Sequence, residues 1–216
     1  MKTEGVIVLV GLIIVMVLAV VIRLRWDKWR KNGVIEVGKS LGFHHLVQGE
    51  KLQVVFVPLI DRADRKYFLI LFGELNGYEA AFFDLEVSAG KDWFYQSTVM
   101  VNNPQVTMPM FQLKSHAYML QTINQRTCGD ELKVPGREKD MESLRLSAKD
   151  PQWALQTFSK ATPQFFQKLR KERFTIEGFQ HSLFIYSWSR TIYPRKMREY
   201  VRQAADIATE MYSLCS

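Results

Sequence analysis

An unbroken apolar run from Gly5 to Ile22 constrains this chain more than any other feature. Its 18 residues, GVIVLVGLIIVMVLAVVI, carry no charge and no strongly polar side chain. As a helix rising 1.5 Å per residue the run reaches about 27 Å, close to the hydrocarbon thickness of a bilayer. Hydrocarbon offers the backbone no hydrogen-bond partner, and a helix pairs its donors and acceptors internally. A cleaved signal peptide would start basic and end at small residues. Here Lys2 is balanced by Glu4, and the run ends in Val20-Val21-Ile22-Arg23. A buried soluble helix is rarely apolar on every face, and a strand of this length falls outside the normal range. The run therefore reads as an uncleaved signal-anchor, a single transmembrane helix.

The flanks predict its orientation. Arg23, Arg25, Lys28, Arg30 and Lys31 follow the run, whereas Lys2 and the terminal amine precede it. Basic residues stay on the cytoplasmic side, so the N-terminus is expected outside and the rest of the chain in the cytoplasm. Trp26 and Trp29, three apart on one helical face, sit where indoles favour the headgroup layer. These seven residues, Arg23, Arg25, Trp26, Lys28, Trp29, Arg30 and Lys31, are the expected membrane contacts. The resulting division is an anchor over 1–25, a juxtamembrane helix over 26–42 and a soluble α+β domain over 43–216.

Within the domain the middle third is rich in strand signals. KYFLILFGEL (66–75) is apolar on both faces, as in a covered central strand. Asn76-Gly77 is a two-residue hairpin signal, because both positions tolerate positive φ. YEAAFFDLEV (78–87) returns with Phe83, Leu85 and Val87 on one face and Asp84 and Glu86 on the other. A turn around Gly90, WFYQSTVMV (93–101), the turn Asn102-Asn103-Pro104 and TMPMFQLKS (107–115) complete a four-stranded antiparallel meander. Pro109 lacks an N–H, so the fourth strand should lie at an edge or carry a bulge.

Outside the meander, a short strand is expected around Val54–Leu59 and a long exposed loop over 124–150. Asn32-Gly33 is a possible break in the juxtamembrane helix, and Gly42 a C-terminal cap. Asp150-Pro151 and Thr162-Pro163 each read as an N-cap followed by Pro at N1. Phe174–Glu177 and Ser182–Trp188, around Gly178, form a second hairpin. Tyr193-Pro194 opens a last helix, whose Met197, Val201, Ala204, Ala208 and Met211 make an apolar stripe that should pack on the sheet.

The search for chemistry excludes more than it finds. There is no phosphate-binding glycine loop, no GxGxxG, no GxSxG elbow and no HExxH. His44 and His45 are adjacent and so point apart, and Cys128 and Cys215 form no CxxC pair. No metal site and no cofactor is expected. Asp84 and Glu86, His116 and Cys128 are the residues with enough reactivity to matter in an enzyme, the first two through acid–base chemistry and Cys128 as a nucleophile. Asp84 and Glu86 also fit the solvent face of a sheet, and Cys128 lies in the expected loop. The net charge of +7 collects in the flank and in two later clusters, residues 160–173 and 190–202. An anionic leaflet attracts such residues; nucleic acid is the less favoured partner, because the anchor already holds the domain at lipid.

The expectation is thus a single-pass membrane protein, in the layout of small bacterial inner-membrane proteins. Its cytoplasm-facing domain would bind the lipid bilayer surface or a protein partner without catalysis. A membrane-associated enzyme and a nucleic-acid binder are the alternatives.

Overall fold

The computed structural model describes residues 2–46, 65–89, 92–115, 128–187 and 190–215. For 2–10, 65–68, 87–89 and 92–93 it describes the backbone alone. The strand expected at Val54–Leu59, the turn at Gly90 and His116 lie outside these residues.

Helix α1 runs without interruption from Lys2 to Ser40, about 58 Å at 1.5 Å per residue. Asn32-Gly33 does not break it. A Cβ on Gly33 would meet Pro194 Cγ at 2.6 Å, and one on Gly38 would meet Leu71 Cδ1 at 2.5 Å. These glycines serve close approach, letting the C-terminal half of α1 press onto the domain, where Val34 is fully buried. The part of α1 around Gly33, Val34 and Gly38 is therefore packed into the globular unit. The helix ends in a Schellman motif at Gly42, whose φ is +85°. Phe43 N–H donates to Gly38 O at 3.0 Å and Gly42 N–H to Lys39 O at 3.1 Å. Among the described residues no helix is long and apolar enough to cross a membrane. The side chains of residues 5–10, the first third of the apolar run, lie outside that description.

The strands are β1 (His44–His45), β2 (Arg65–Leu75), β3 (Tyr78–Ala89), β4 (Asp92–Asn102), β5 (Met108–Ser115), β6 (Glu131–Leu132), β7 (Leu144–Ala148), β8 (Phe174–Gln180) and β9 (Ser182–Ser187). They form one sheet in the order β1-β2-β3-β4-β9-β8-β5-β7-β6. Leu75 pairs with Tyr78 across Asn76-Gly77, with φ of 52° and 82° at the two turn residues, the two-residue hairpin expected from sequence. The meander holds for β2, β3 and β4 and then fails. The β8–β9 hairpin inserts between β4 and β5, pairing with β4 through β9 and with β5 through β8. Three strand spacings separate β4 from β5, about 14 Å, and residues 103–107 can cover that distance extended. Pro109 sits in an irregularity between Met108 and Phe111 where β5 meets β8, so the strand accommodates it with a bulge in the interior of the sheet.

Helices α2 (Pro151–Ser159), α3 (Pro163–Glu172) and α4 (Pro194–Cys215) follow. Asp150 caps α2 by accepting from Trp153 N–H, and Thr162 caps α3 by accepting from Phe165 N–H. Met197, Val201, Ala204, Ala208 and Met211 of α4 are all buried. They share one core with Phe82, Val99, Val101, Leu183, Ile185 and the helix residues Phe158, Phe165 and Leu169. Two tyrosines fasten α4 to the sheet: Tyr200 Oη donates to Ser97 O at 3.0 Å, and Tyr212 Oη lies 2.7 Å from Val101 O and 3.0 Å from His181 O. The opposite face of the sheet carries a second apolar cluster of Ala81, Phe83, Leu85, Met100 and Phe184. The described part of the expected 124–150 loop is built into the domain. It supplies β6 and β7, and Val134, Met141, Leu144 and Leu146 are buried.

Candidate functional site

Where α1 leaves the sheet, a cleft of about 500 Å³ opens between the helix and the ends of β3 and β4. The helix supplies Arg23, Asp27, Lys28, Arg30 and Lys31, and the sheet side supplies Leu69, Asp84, Tyr95 and Thr191. The residues are brought together by the same contact that buries Val34. At 3.6 residues per turn, Arg23, Asp27, Arg30 and Lys31 fall within an arc of about 100°, while Arg25 falls on the other side of the helix.

The floor is an ion pair. Arg30 Nη2 donates to Asp84 Oδ2 at 2.8 Å, with the two side chains only 14% and 7% exposed. Arg30 Nε donates to Ile192 O at 3.1 Å. Ser97 Oγ donates to Asp84 Oδ1, and Ile192 N–H donates to Ser97 Oγ at 2.8 Å. Asp84 and Ser97 are cross-strand partners, so β3, β4, α1 and the segment before α4 meet at one carboxylate. Burial pushes the Asp84 pKa up, outweighing the Arg30 charge and the hydrogen bonds from Ser97 and Arg30. At the mouth, Tyr95 is 45% exposed, and its hydrogen bond to Glu86 raises its pKa.

The sequence-predicted residues therefore separate. Arg30 is turned to Asp84 on the floor of the cleft. Arg23, Lys28 and Lys31 line the cleft. Trp26 and Trp29 are exposed beside it, 5.3 Å apart between ring centroids, with Trp26 meeting Tyr193 edge-on at 6.2 Å. Asp84 and Glu86 share a strand face as expected, but it is the face covered by helices. Asp84 is held by Arg30 and Ser97, and Glu86 by Tyr95. Cys128 is 4% exposed and is not in an exposed loop. His44 and His45 pair with Phe72 and Leu71 in β1. Among the described residues no group of three or more His, Cys, Asp or Glu is placed to hold a metal. Sequence reasoning missed Ser97 and Thr191, whose roles depend on tertiary contact and leave no local pattern.

It also missed a buried polar row on the sheet face turned away from the described helices. Gln112 Nε2 donates to Glu177 Oε1 at 2.6 Å, and Tyr186 Oη donates to the same oxygen at 2.5 Å. Burial lowers the Lys114 pKa, assisted by Arg145. Gln96 Oε1, Gln112 Oε1 and Thr175 Oγ1 are buried without a hydrogen-bond partner among the described residues. Alternation of Gln112 with Lys114 and of Thr175 with Glu177 was the available signal, since i and i+2 share a face.

Fold and cleft together define a class: a nine-stranded antiparallel sheet with the described helices on one face, entered by a long N-terminal helix whose base forms a charged cleft. No protein-family model matches the chain, and no curated protein matches it. Among solved structures, mycobacterial trehalose monomycolate transport factor A, TtfA, is similar, with a TM-score of 0.52 and 14% identity over 83% of this chain and 94% of that one. At that identity the likeness shows the fold.

Proposed function

We propose that this protein is a single-pass, membrane-anchored protein with its N-terminus outside and its α+β domain in the cytoplasm, as in a bacterial inner membrane. The domain acts by binding, at the lipid surface or on a protein partner, and not by catalysis. One observation carries the reading: the apolar run Gly5–Ile22 and the cleft-lining cations belong to the same uninterrupted helix. With the run in hydrocarbon, Arg23 to Lys31 begin in the headgroup layer, where the leaflet's negative potential attracts them. Asp84, the most buried of the candidate reactive groups on β3, is occupied in fastening α1 to the sheet. The similar solved structure is named as a transport factor, which agrees with a binding role.

The test is cysteine labelling in intact cells, in a chain with Cys128 and Cys215 replaced by Ser. A cysteine at Thr3 should react with an impermeant thiol reagent, and one at Ser213 should react only after lysis. Labelling at Ser213 without lysis overturns the cytoplasmic placement. Release of the chain by carbonate washing overturns the anchor.

A further inference from the structure

We infer that the cleft between α1 and the ends of β3 and β4 holds the phosphate of a single anionic lipid headgroup, an assignment that rests on the membrane-anchored reading above. A volume of about 500 Å³ lies within the range of pockets that enclose one small ligand, roughly 300–1,000 Å³. It is a half-open cleft with α1 on one side and the sheet end on the other. Its charge is unbalanced. Arg30 is neutralised by Asp84, which leaves Arg23, Lys28 and Lys31 against Asp27 on the lining and against Glu86, bonded to Tyr95 at the mouth. None of these three cations takes part in an ion pair among the described residues.

The Arg30–Asp84 pair also settles the floor. A bare carboxylate there would repel an anion, whereas a paired one leaves the rim cations to act. Thr191 lines the opposite wall. A phosphate offers several acceptor oxygens to guanidinium and ammonium donors, with Arg23 able to engage two at once. Position selects lipid over a soluble phosphate. Arg23 directly follows Ile22, the last apolar residue, and Lys31 is about 12 Å further along the axis. The headgroup layer is about 5–8 Å thick on each side of the hydrocarbon, so the upper half of the cleft falls within it.

The full-length chain in a non-ionic detergent, with phosphatidylglycerol or phosphatidylcholine doped at equal mole fraction, tests this by native mass spectrometry. One phosphatidylglycerol should be retained per chain, at least tenfold more tightly than phosphatidylcholine. Arg23→Gln and Lys31→Gln, made singly, should each cut that retention at least fivefold. Lys31→Arg should keep it. Arg25→Gln, which removes the same charge from the same segment but outside the cleft, should change it less than twofold. Equal losses from Arg25→Gln and from either cleft substitution would reduce the effect to diffuse surface charge and overturn the site. Full displacement by millimolar inorganic phosphate would assign the cleft to a soluble anion and overturn the lipid. Micelles impose no orientation, so retention tests the cleft alone, and failure of the anchored reading appears separately in the cysteine labelling.

Discussion

Replacing Arg30 with Met should loosen the whole junction between α1 and the sheet. Arg30 reaches Asp84 at 2.8 Å and Ile192 O at 3.1 Å; its 3.4 Å approach to Ser97 Oγ is too long to contribute much. Removing one partner of a buried pair costs about 3–5 kcal/mol, because the other charge is stranded. The 14% exposure of Arg30 lets water reach part of the gap, so a loss of about 3 kcal/mol is expected. Adding Asp84→Asn to Arg30→Met should recover most of it, since Asn keeps a partner for Ser97 and carries no charge. The loss should also depend on pH. The Asp84 pKa is already raised above its ordinary 3.8, and without Arg30 it rises further. Between the unfolded value and the raised native one the folded state binds more protons, so stability falls as pH rises through that window. The Arg30→Met penalty should therefore be full at neutral pH and shrink toward pH 4. Urea unfolding of the full chain in micelles, followed by near-ultraviolet circular dichroism, measures all three. A loss below about 1 kcal/mol, or a double variant no more stable than the single one, would refute the view that this pair fastens α1.

Four further outcomes can be read with the same assay or a simple labelling experiment. Gly178→Ala places a Cβ 2.1 Å from Phe111 Cε1 and 2.8 Å from Met108 Sδ; overpacking of this kind costs about 1–3 kcal/mol, and an unchanged urea midpoint would show that β5 and β8 are not in close contact there. Tyr212→Phe removes the hydroxyl beside Val101 O and His181 O and should cost about 1–3 kcal/mol, whereas Ala204→Asp buries an unpaired charge under α4 and should prevent folding or cost several kcal/mol. Burial pushes the Cys215 thiol up to about 11, so its alkylation in the folded chain should keep accelerating up to about pH 11; a plateau near pH 9 would mean that the C-terminal turn is open.

Much of the sheet was legible because its signals are local. Asn76-Gly77 sets a two-residue turn whatever the surroundings, and the aromatic and branched runs on either side set the strands. Asp150-Pro151 and Thr162-Pro163 begin helices through their own side chains. The stripe on α4 identified its buried face. What escaped depended on distant partners. Nothing within 93–115 indicates that a hairpin from residues 174–187 will separate β4 from β5. Gly33 has the same sequence appearance whether it breaks a helix or admits Pro194. Alternation told that Asp84 and Glu86 share a face but not that α1 covers it, so the most heavily bonded carboxylate of the site was read as a solvent residue. The polarity of 128–150 hid Val134, Met141 and Leu146, which are spaced too irregularly to reveal a strand face.

The insertion of β8–β9 also bears on how the chain is made. β4 is complete at residue 102, but its neighbour β9 begins at residue 182. At a synthesis rate of about 5–20 residues per second, β4 waits roughly 4–16 s with its partner edge unpaired, and β5 waits about 3–12 s for β8. Open edges on aromatic-rich strands invite pairing with other nascent chains. A gene rearranged so that the hairpin directly follows β4 would close the centre of the sheet as it emerges, with the same final strand order and far less time in an adhesive state.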